Sequence, residues 1–291
     1  MFTRKFAAVA ALAALVVFSA VATRPRAAGA RRAAFPTRII SLSPTATEDL
    51  FAIGAGGQVV AVDNQSNYPR NAPLSKLSGY TPNAEAVAAY KPDLVVVSFD
   101  GNHIVEALGK LKIAVLVEPT ASTLAQAYAQ IAQLGRATGK AAEAARVVAG
   151  MRQQIAAIVA SVPHPSPPIT VYHELGPDLY SATSKTFIGR IYSLLGLKDI
   201  ADAADKTGSG YPQLSQEYVV AASPRLIVLA DTVCCGQTVA KVDERAGWGT
   251  VAAVGGGGVL AVNDDIASRW GPRIVDFVRV VAAEIKRIAA K

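Results

Sequence analysis

Residues 138–162 read TGKAAEAARVVAGMRQQIAAIVASV, and this stretch decides the fold. Ala144, Val147, Val148, Met151, Ile155, Ile158, Val159 and Val162 recur at the spacing of one apolar helical face. Gly150 weakens such a helix by about 1 kcal/mol relative to alanine, but no proline interrupts it. Pro163-His164-Pro165-Ser166-Pro167-Pro168 then stops it. The spacing predicts one helix of roughly 23–25 residues within 138–162, ~35 Å long at 1.5 Å per residue.

On either side of this helix, short apolar runs alternate with helical stretches. Upstream, Arg38–Leu42, Val59–Val62, Leu94–Val97 and Ala114–Val117 read as strands. Downstream, Ile169–Tyr172, Leu226–Leu229 and Val259–Val262 do so, with helices near 185–195, 215–222 and 272–289. Continuous apolar strands suit parallel sheets buried on both faces, and the alternation is α/β patterning. The chain therefore divides into an N-terminal lobe at 37–137, a connecting helix at 138–162 and a C-terminal lobe at 168–291. After the first strand, Ser43-Pro44 marks a helix start, and Thr45-x-x-Glu48 has the form of a capping box. Gly54 ends that helix.

The chain has 291 residues and 30.2 kDa, with 51% hydrophobic and 18% charged residues. That excludes wholesale disorder and leaves ample length for a buried core. Only 7% aromatic residues argues against a nucleic-acid reader built on stacking. Two cysteines exclude a disulfide-stapled miniprotein and a four-cysteine zinc site. At the N-terminus, Arg4 and Lys5 precede Phe6–Ala22, a run in which Ser19 is the only polar residue. Small residues then offer cleavage after Ala22 or Ala30. Residues 1–30 thus have the layout of a secretory signal, or of a retained membrane anchor at the short limit for a span. Either reading makes the chain exported, to a periplasmic or extracytoplasmic location. No cysteine lies near residue 20, so the expectation is that the chain is not a lipoprotein. Cleavage lowers the net charge from +7 to +5 or +3, a weak surplus that points to no nucleic acid or other polyanion.

The two lobes carry a local echo. Glu85 precedes Pro92-Asp93-Leu94-Val95, and Glu217 precedes Pro224-Arg225-Leu226-Ile227 at the same spacing. Asn83 and Ser215 stand two residues before each glutamate and are good N-caps. Each glutamate then sits in a first helical turn, where it complements the helix dipole. The dipole does not explain why the placement recurs in both lobes.

Arg38-Ile39-Ile40-Ser41-Leu42-Ser43-Pro44, Thr47-Glu48, Ile53-Gly54-Ala55, Asn67-Tyr68-Pro69, Pro82-Asn83-x-Glu85 and Lys91-Pro92-Asp93-Leu94-Val95 resemble the helical-backbone metal-receptor type of ABC-importer solute-binding protein. Tyr211-Pro212-Gln213-Leu214-Ser215-x-Glu217 and Arg269-Trp270-Gly271-Pro272-Arg273 continue the likeness, which runs from about residue 37 to the end. That family imports cobalamin, iron–siderophore chelates and haem. The resemblance implies two Rossmann-like lobes with central parallel sheets, bridged by one long helix, and a ligand cleft between them. It also implies that Glu85 and Glu217 dock onto arginines of a permease dimer that works with a cytoplasmic ATPase. A carboxylate–guanidinium fork fixes orientation as well as charge. The rigid helix is expected to allow only small lobe movements on binding, and the free chain is expected to be a monomer.

Cleft residues are expected in loops after the strands. In the first lobe these are Gln65, Tyr68, Tyr80, Ser98 and Phe99, with Asn64 and Asn102 beside them; in the second they are His173, Glu174, Tyr180, Tyr211, Arg269 and Trp270. Tyr80, Phe99, Tyr211 and Trp270 offer flat apolar contact, Arg269 a partner for an anionic group, and His173 or a tyrosine an axial ligand to haem. Cobalamin binders of the family line their cleft with several tryptophans; this chain has Trp248 and Trp270 only, with Gln65 and Ser98 where aromatics are expected. This lowers cobalamin relative to iron chelates and haem. Cys234-Cys235 either form a vicinal disulfide or remain reduced as soft ligands.

Three rival classes are open to an exported α/β chain. A hydrolase needs a Gly-x-Ser-x-Gly elbow or a Ser-x-x-Lys signature, and neither is convincing here. A zinc or manganese receptor wants converging histidines and carboxylates, and only His103, His164 and His173 exist. A stand-alone extracellular binder or sensor differs only in never meeting a permease. Gly255–Gly258 lacks the Gly-Lys-Ser/Thr ending of a phosphate loop and reads as a turn. The expectation is a non-catalytic binding protein with no cofactor or resident metal of its own.

Overall fold

The computed structural model describes residues 35–290. The signal or anchor at 1–30 lies outside the described residues. Eight strands run in chain order: β1 (Ile39–Leu42), β2 (Val59–Val62), β3 (Leu94–Val97), β4 (Ala114–Val117), β5 (Thr170–Glu174), β6 (Lys198–Asp199), β7 (Leu226–Leu229) and β8 (Val259–Ala261). The helices are α1 (Pro44–Ala52), α2 (Ala84–Ala88), α3 (Ile104–Lys110), α4 (Leu124–Thr138), α5 (Ala141–Ala160), α6 (Phe187–Leu194), α7 (Gln216–Ala222), α8 (Val239–Asp243), α9 (Ala252–Gly256), α10 (Asp264–Ser268) and α11 (Ile274–Ala289).

The strands form two parallel sheets of the same design, β2-β1-β3-β4 and β6-β5-β7-β8. In each, the chain adds its second strand on one side of the first and its third on the other. The strand order therefore reverses between β1 and β3, and again between β5 and β7. In open α/β sheets, ligands settle outside the carboxyl ends of the strands at such a reversal. Alternate residues face opposite sides of each sheet. Ile39, Leu94 and Val96 join one core, and Ile40, Leu42, Val95 and Val97 join another with Ile104 and Leu108. The first core is continuous through both sheets. It includes Val171 and Val228 of the second sheet, Met151 and Ile155 of α5, and Phe277, Val278 and Val281 of α11.

The connecting helix differs from expectation at its ends. Gly139, with φ of +76°, is the left-handed cap of α4, so Thr138 closes that helix. The long helix α5 has 20 residues, about 30 Å. Alanine-rich sequence on both sides of Gly139 hid the break. The helices α4 and α5 pack tightly where Gly135 meets Ala144. A second correction concerns Glu48. The N-cap of α1 is Ser43, whose Oγ accepts from the Ala46 N–H at 3.3 Å. Glu48 forms no capping box; it is buried and bound by arginines from the other lobe. Strand β5 runs two residues further than read, to Glu174, which takes His173 and Glu174 out of the loop. Gly255 and Gly256 end α9, and Gly257 is its left-handed cap.

Candidate functional site

The loops that leave β1, β2, β3 and β4 at their carboxyl ends enclose a cavity of about 370 Å³ with the segment from Asp265 to Trp270 of the second lobe. Six of the expected site residues meet there: Gln65, Tyr80, Ser98, Phe99, Arg269 and Trp270. Tyr80 and Phe99 are exposed, with ring centroids 6.3 Å apart, and form an apolar wall. Trp270 is held by its indole N–H, which donates to Gln130 Oε1 at 2.8 Å; the Gln130 amide donates in turn to the Pro119 carbonyl at 2.5 Å.

Arg269 lines the cavity, yet its terminal nitrogens are engaged. Nη1 donates to Glu48 Oε1 and Asn67 Oδ1, each at 2.9 Å. Nη2 donates to the Gln65 carbonyl at 3.1 Å and to Asp265 Oδ1 at 2.7 Å. Its expected role as partner of an anionic ligand is corrected: the guanidinium ties the lobes together. Arg273 completes that tie through Glu48 and lies 4.1 Å over the ring of Tyr68. Tyr68 is thereby drawn into a separate depression with Phe51, Pro69 and Pro272, away from the cavity.

The second-lobe candidates fare differently. His173 is fully buried in β5, with Nδ1 2.5 Å from the Tyr192 hydroxyl and its ring edge-on to Phe277. Burial pushes its pKa down to about 3. An imidazole in that position cannot reach an iron in the cleft. Glu174 is equally buried; both its oxygens accept from Arg245 at 2.6 Å, and Arg245 stacks on Trp248 at 4.5 Å. Tyr180 and Tyr211 are exposed on adjoining segments joined by the Tyr180–Gln213 bridge, and neither lines the cavity. The reversal of the second sheet is instead capped by the loop after β7. There the Asp264 carboxylate accepts the backbone N–H groups of Thr232, Val233 and Cys234 at 2.7–3.2 Å. Cys234 and Cys235 form a vicinal disulfide in this loop. Among the described residues, no group of three or more His, Cys, Asp or Glu could hold a metal ion.

Sequence reasoning missed Asp63, Thr120, Asp265 and Ser268, and read Ser43 and Thr45 as capping residues only; all six line the cavity. Asp63 was within reach, because it directly follows β2 beside Asn64. Its side chain is buried; Oδ1 accepts the Gln65 N–H at 2.8 Å while Oδ2 has no hydrogen-bond partner.

Glu85 and Glu217 are exposed and occupy the first turns of α2 and α7. Asn83 Oδ1 accepts the Ala86 N–H at 2.9 Å, and Ser215 Oγ accepts the Tyr218 N–H at 3.1 Å. Each helix feeds the strand on the far side of the reversal, β3 in one lobe and β7 in the other.

A family model described as periplasmic binding protein matches residues 39–263. The ABC transporter substrate-binding lipoprotein YvrC of Bacillus subtilis is 30% identical over 86% of this chain and 80% of its own length. The vitamin B12-binding protein of Pectobacterium atrosepticum is 30% identical over 88% of this chain and 90% of its own length. Among solved structures, the periplasmic vitamin B12 binding protein BtuF of Vibrio cholerae superposes with a TM-score of 0.72 at 27% identity, covering 88% of this chain and 99% of that one. The expectation that the chain is not a lipoprotein is overturned by the likeness to YvrC. It rested on the lack of a cysteine near residue 20, a region outside the described residues.

Proposed function

The chain belongs to the periplasmic binding protein family, of the B12, siderophore and haem type, and on that premise we propose that it is the solute-binding component of an ABC importer. It captures a bulky metal chelate between its lobes and delivers it to a permease dimer, with Glu85 and Glu217 as the docking contacts. The observation that carries this reading is the cavity at the β1/β3 reversal, closed from the other lobe by Asp265, Ser268, Arg269 and Trp270. A site walled by both lobes senses a ligand through the same junction that fixes their spacing. Its volume of about 370 Å³ and its aromatic wall suit one flank of a chelate, the remainder standing in the open mouth. The exposed glutamates support delivery: each sits at an equivalent place in its lobe, in the first turn of α2 or α7.

The test is charge reversal of both glutamates. Glu85→Lys with Glu217→Lys is expected to abolish chelate-dependent uptake by the reconstituted transporter while leaving chelate affinity unchanged. Uptake and transporter association that survive the double reversal would remove the docking assignment.

A further inference from the structure

The charge around the cavity is uneven. Its charged lining residues are Asp63, Asp265 and Arg269. Arg269 is 8% exposed, and both of its terminal nitrogens are taken by Glu48, Asn67, Gln65 and Asp265. Neither lysine nor histidine lines the space. The N-terminus of α1 faces it too, and a helix start attracts anions through its unpaired N–H groups. Here Pro44 has no N–H, and the Ala46 N–H is taken by Ser43 Oγ. The Glu48 and Asp49 carboxyl groups lie buried along the same helix.

Asp63 supplies the opposite character. Its side chain is 1% exposed, and Oδ2 accepts no hydrogen bond. A buried carboxylate oxygen without a donor is destabilising, and a group that supplies the donor recovers that loss. Gly79 lies beside it on the cavity wall. A Cβ at that position would stand 2.9 Å from Asp63 Oδ2 and 2.7 Å from the Leu42 carbonyl oxygen. Only a residue without a side chain can pack this closely against Oδ2. Burial raises the Asp63 pKa, against the lowering effect of hydrogen bonds from Gln65 and Ser66 and of the Arg269 charge.

We infer that Asp63 is a specificity-determining residue that receives an amide or ammonium N–H of the bound chelate, and that the cavity turns away chelates with a polyanionic rim. The inference rests on the ligand-binding reading above and deepens it: the cargo is neutral or cationic and rich in N–H donors. Anionic groups entering the cavity meet Asp63 with no unengaged guanidinium terminus to receive them, because Arg269 is already paired with Asp265 and Glu48.

The experiment titrates the full chain, following Trp270 fluorescence, with cyanocobalamin (amide-rich), ferrioxamine B (a hydroxamate chelate with an ammonium tail), haem and a ferric tricatecholate. At least one of the first two is expected to bind at least about tenfold more tightly than haem or the tricatecholate. Asp63→Asn places an amide N–H where Oδ2 stood while its carbonyl keeps the Gln65 contact. It is expected to weaken the preferred chelate at least about tenfold and to leave the anionic ones equal or tighter. The ranking on the unmodified protein needs no variant to fold. An anionic chelate that binds as tightly as the other two overturns the inference while leaving the importer reading intact, and so does an Asp63→Asn protein with unchanged affinities. Binding of none of the four overturns both.

Discussion

Glu48 and Arg273 meet across the junction of the two lobes, with Nε 2.9 Å from Oε2 and Nη2 2.5 Å from Oε1. Arg269 adds a third bond to the same carboxylate at 2.9 Å. The Glu48 side chain is 1% exposed, so its charge is matched by protein rather than by water. Removing one member of a buried ion cluster leaves the others without a partner, which typically costs ~3–5 kcal/mol. Glu48→Gln is therefore expected to cost stability near the low end of that range, read as a lowered urea midpoint, because Arg273 keeps some contact with water. The surface pair Glu106–Lys110 is the control; Glu106→Gln is expected to leave the midpoint unchanged. Equal midpoints for the two variants would show that the junction draws nothing from the cluster.

The Glu48 cluster also explains what the sequence conceals. The strands were legible because each is a short unbroken apolar run, and a fully buried parallel strand leaves no other signature. The caps at Ser43, Asn83 and Ser215 were legible because their chemistry is local. Glu48, Arg269 and Arg273 are more than 200 residues apart in pairs that only the closed fold creates. Arg269 looked like a ligand group for the same reason that it is a tie: it lies at the mouth of the cleft. His173 and Glu174 looked like loop residues because β5 ends in polar types, and polar residues inside a core are visible only with their partners, Tyr192 and Arg245, in place. The two-residue strand β6 carries no periodicity at all.

The buried carboxyl groups set the pH dependence of stability. Burial raises Glu118 and Asp199 to about 7; it also raises Asp49 and Asp231, with help from the charges of Glu48 and Glu174 respectively. Because each folded pKa lies above the unfolded value, the contribution is fully present below about pH 4 and is lost as pH rises through about 7. His173 runs the other way. Its folded value of about 3 lies below 6.5, so its contribution is present above 6.5 and is lost as pH falls toward 3. Four carboxyl groups outweigh one imidazole, so the protein is expected to be more stable at about pH 5 than at about pH 7.5. Asp199→Asn keeps an acceptor for the Ala201 N–H and removes a charge that burial disfavours. It is expected to add about 1–3 kcal/mol at the higher pH and little at the lower. Urea titrations at both pH values check this, and a wild-type protein more stable at about pH 7.5 would contradict it.

The disulfide in the loop after β7 gives a chemical prediction. Denatured protein is expected to take up no iodoacetamide before reduction and two equivalents after it, all on Cys234 and Cys235, the only cysteines in the chain. Mass spectrometry of the peptide that contains both residues reads the result. Two equivalents without reductant would place the pair in the dithiol state.

Two glycines in the helical layer should respond to the same substitution with opposite sign. Gly150 lies within α5, and a Cβ there meets nothing within 4 Å. Gly150→Ala removes backbone freedom from the unfolded chain and is expected to stabilise by about 0.5–1 kcal/mol. Gly135 lies within α4, where a Cβ would overlap Ala144 Cβ and stand 3.0 Å from the Lys140 carbonyl oxygen. Both neighbours belong to the start of α5 or its lead-in, so Gly135→Ala forces the two helices apart. That overpacking is expected to cost about 1–3 kcal/mol, more than the propensity gain returns. Because α5 is also packed against α11, the displacement should spread to the second lobe and lower the urea midpoint without changing the slope. A Gly135→Ala protein as stable as Gly150→Ala would mean that α4 and α5 stand further apart than their shared contact at Ala144 requires.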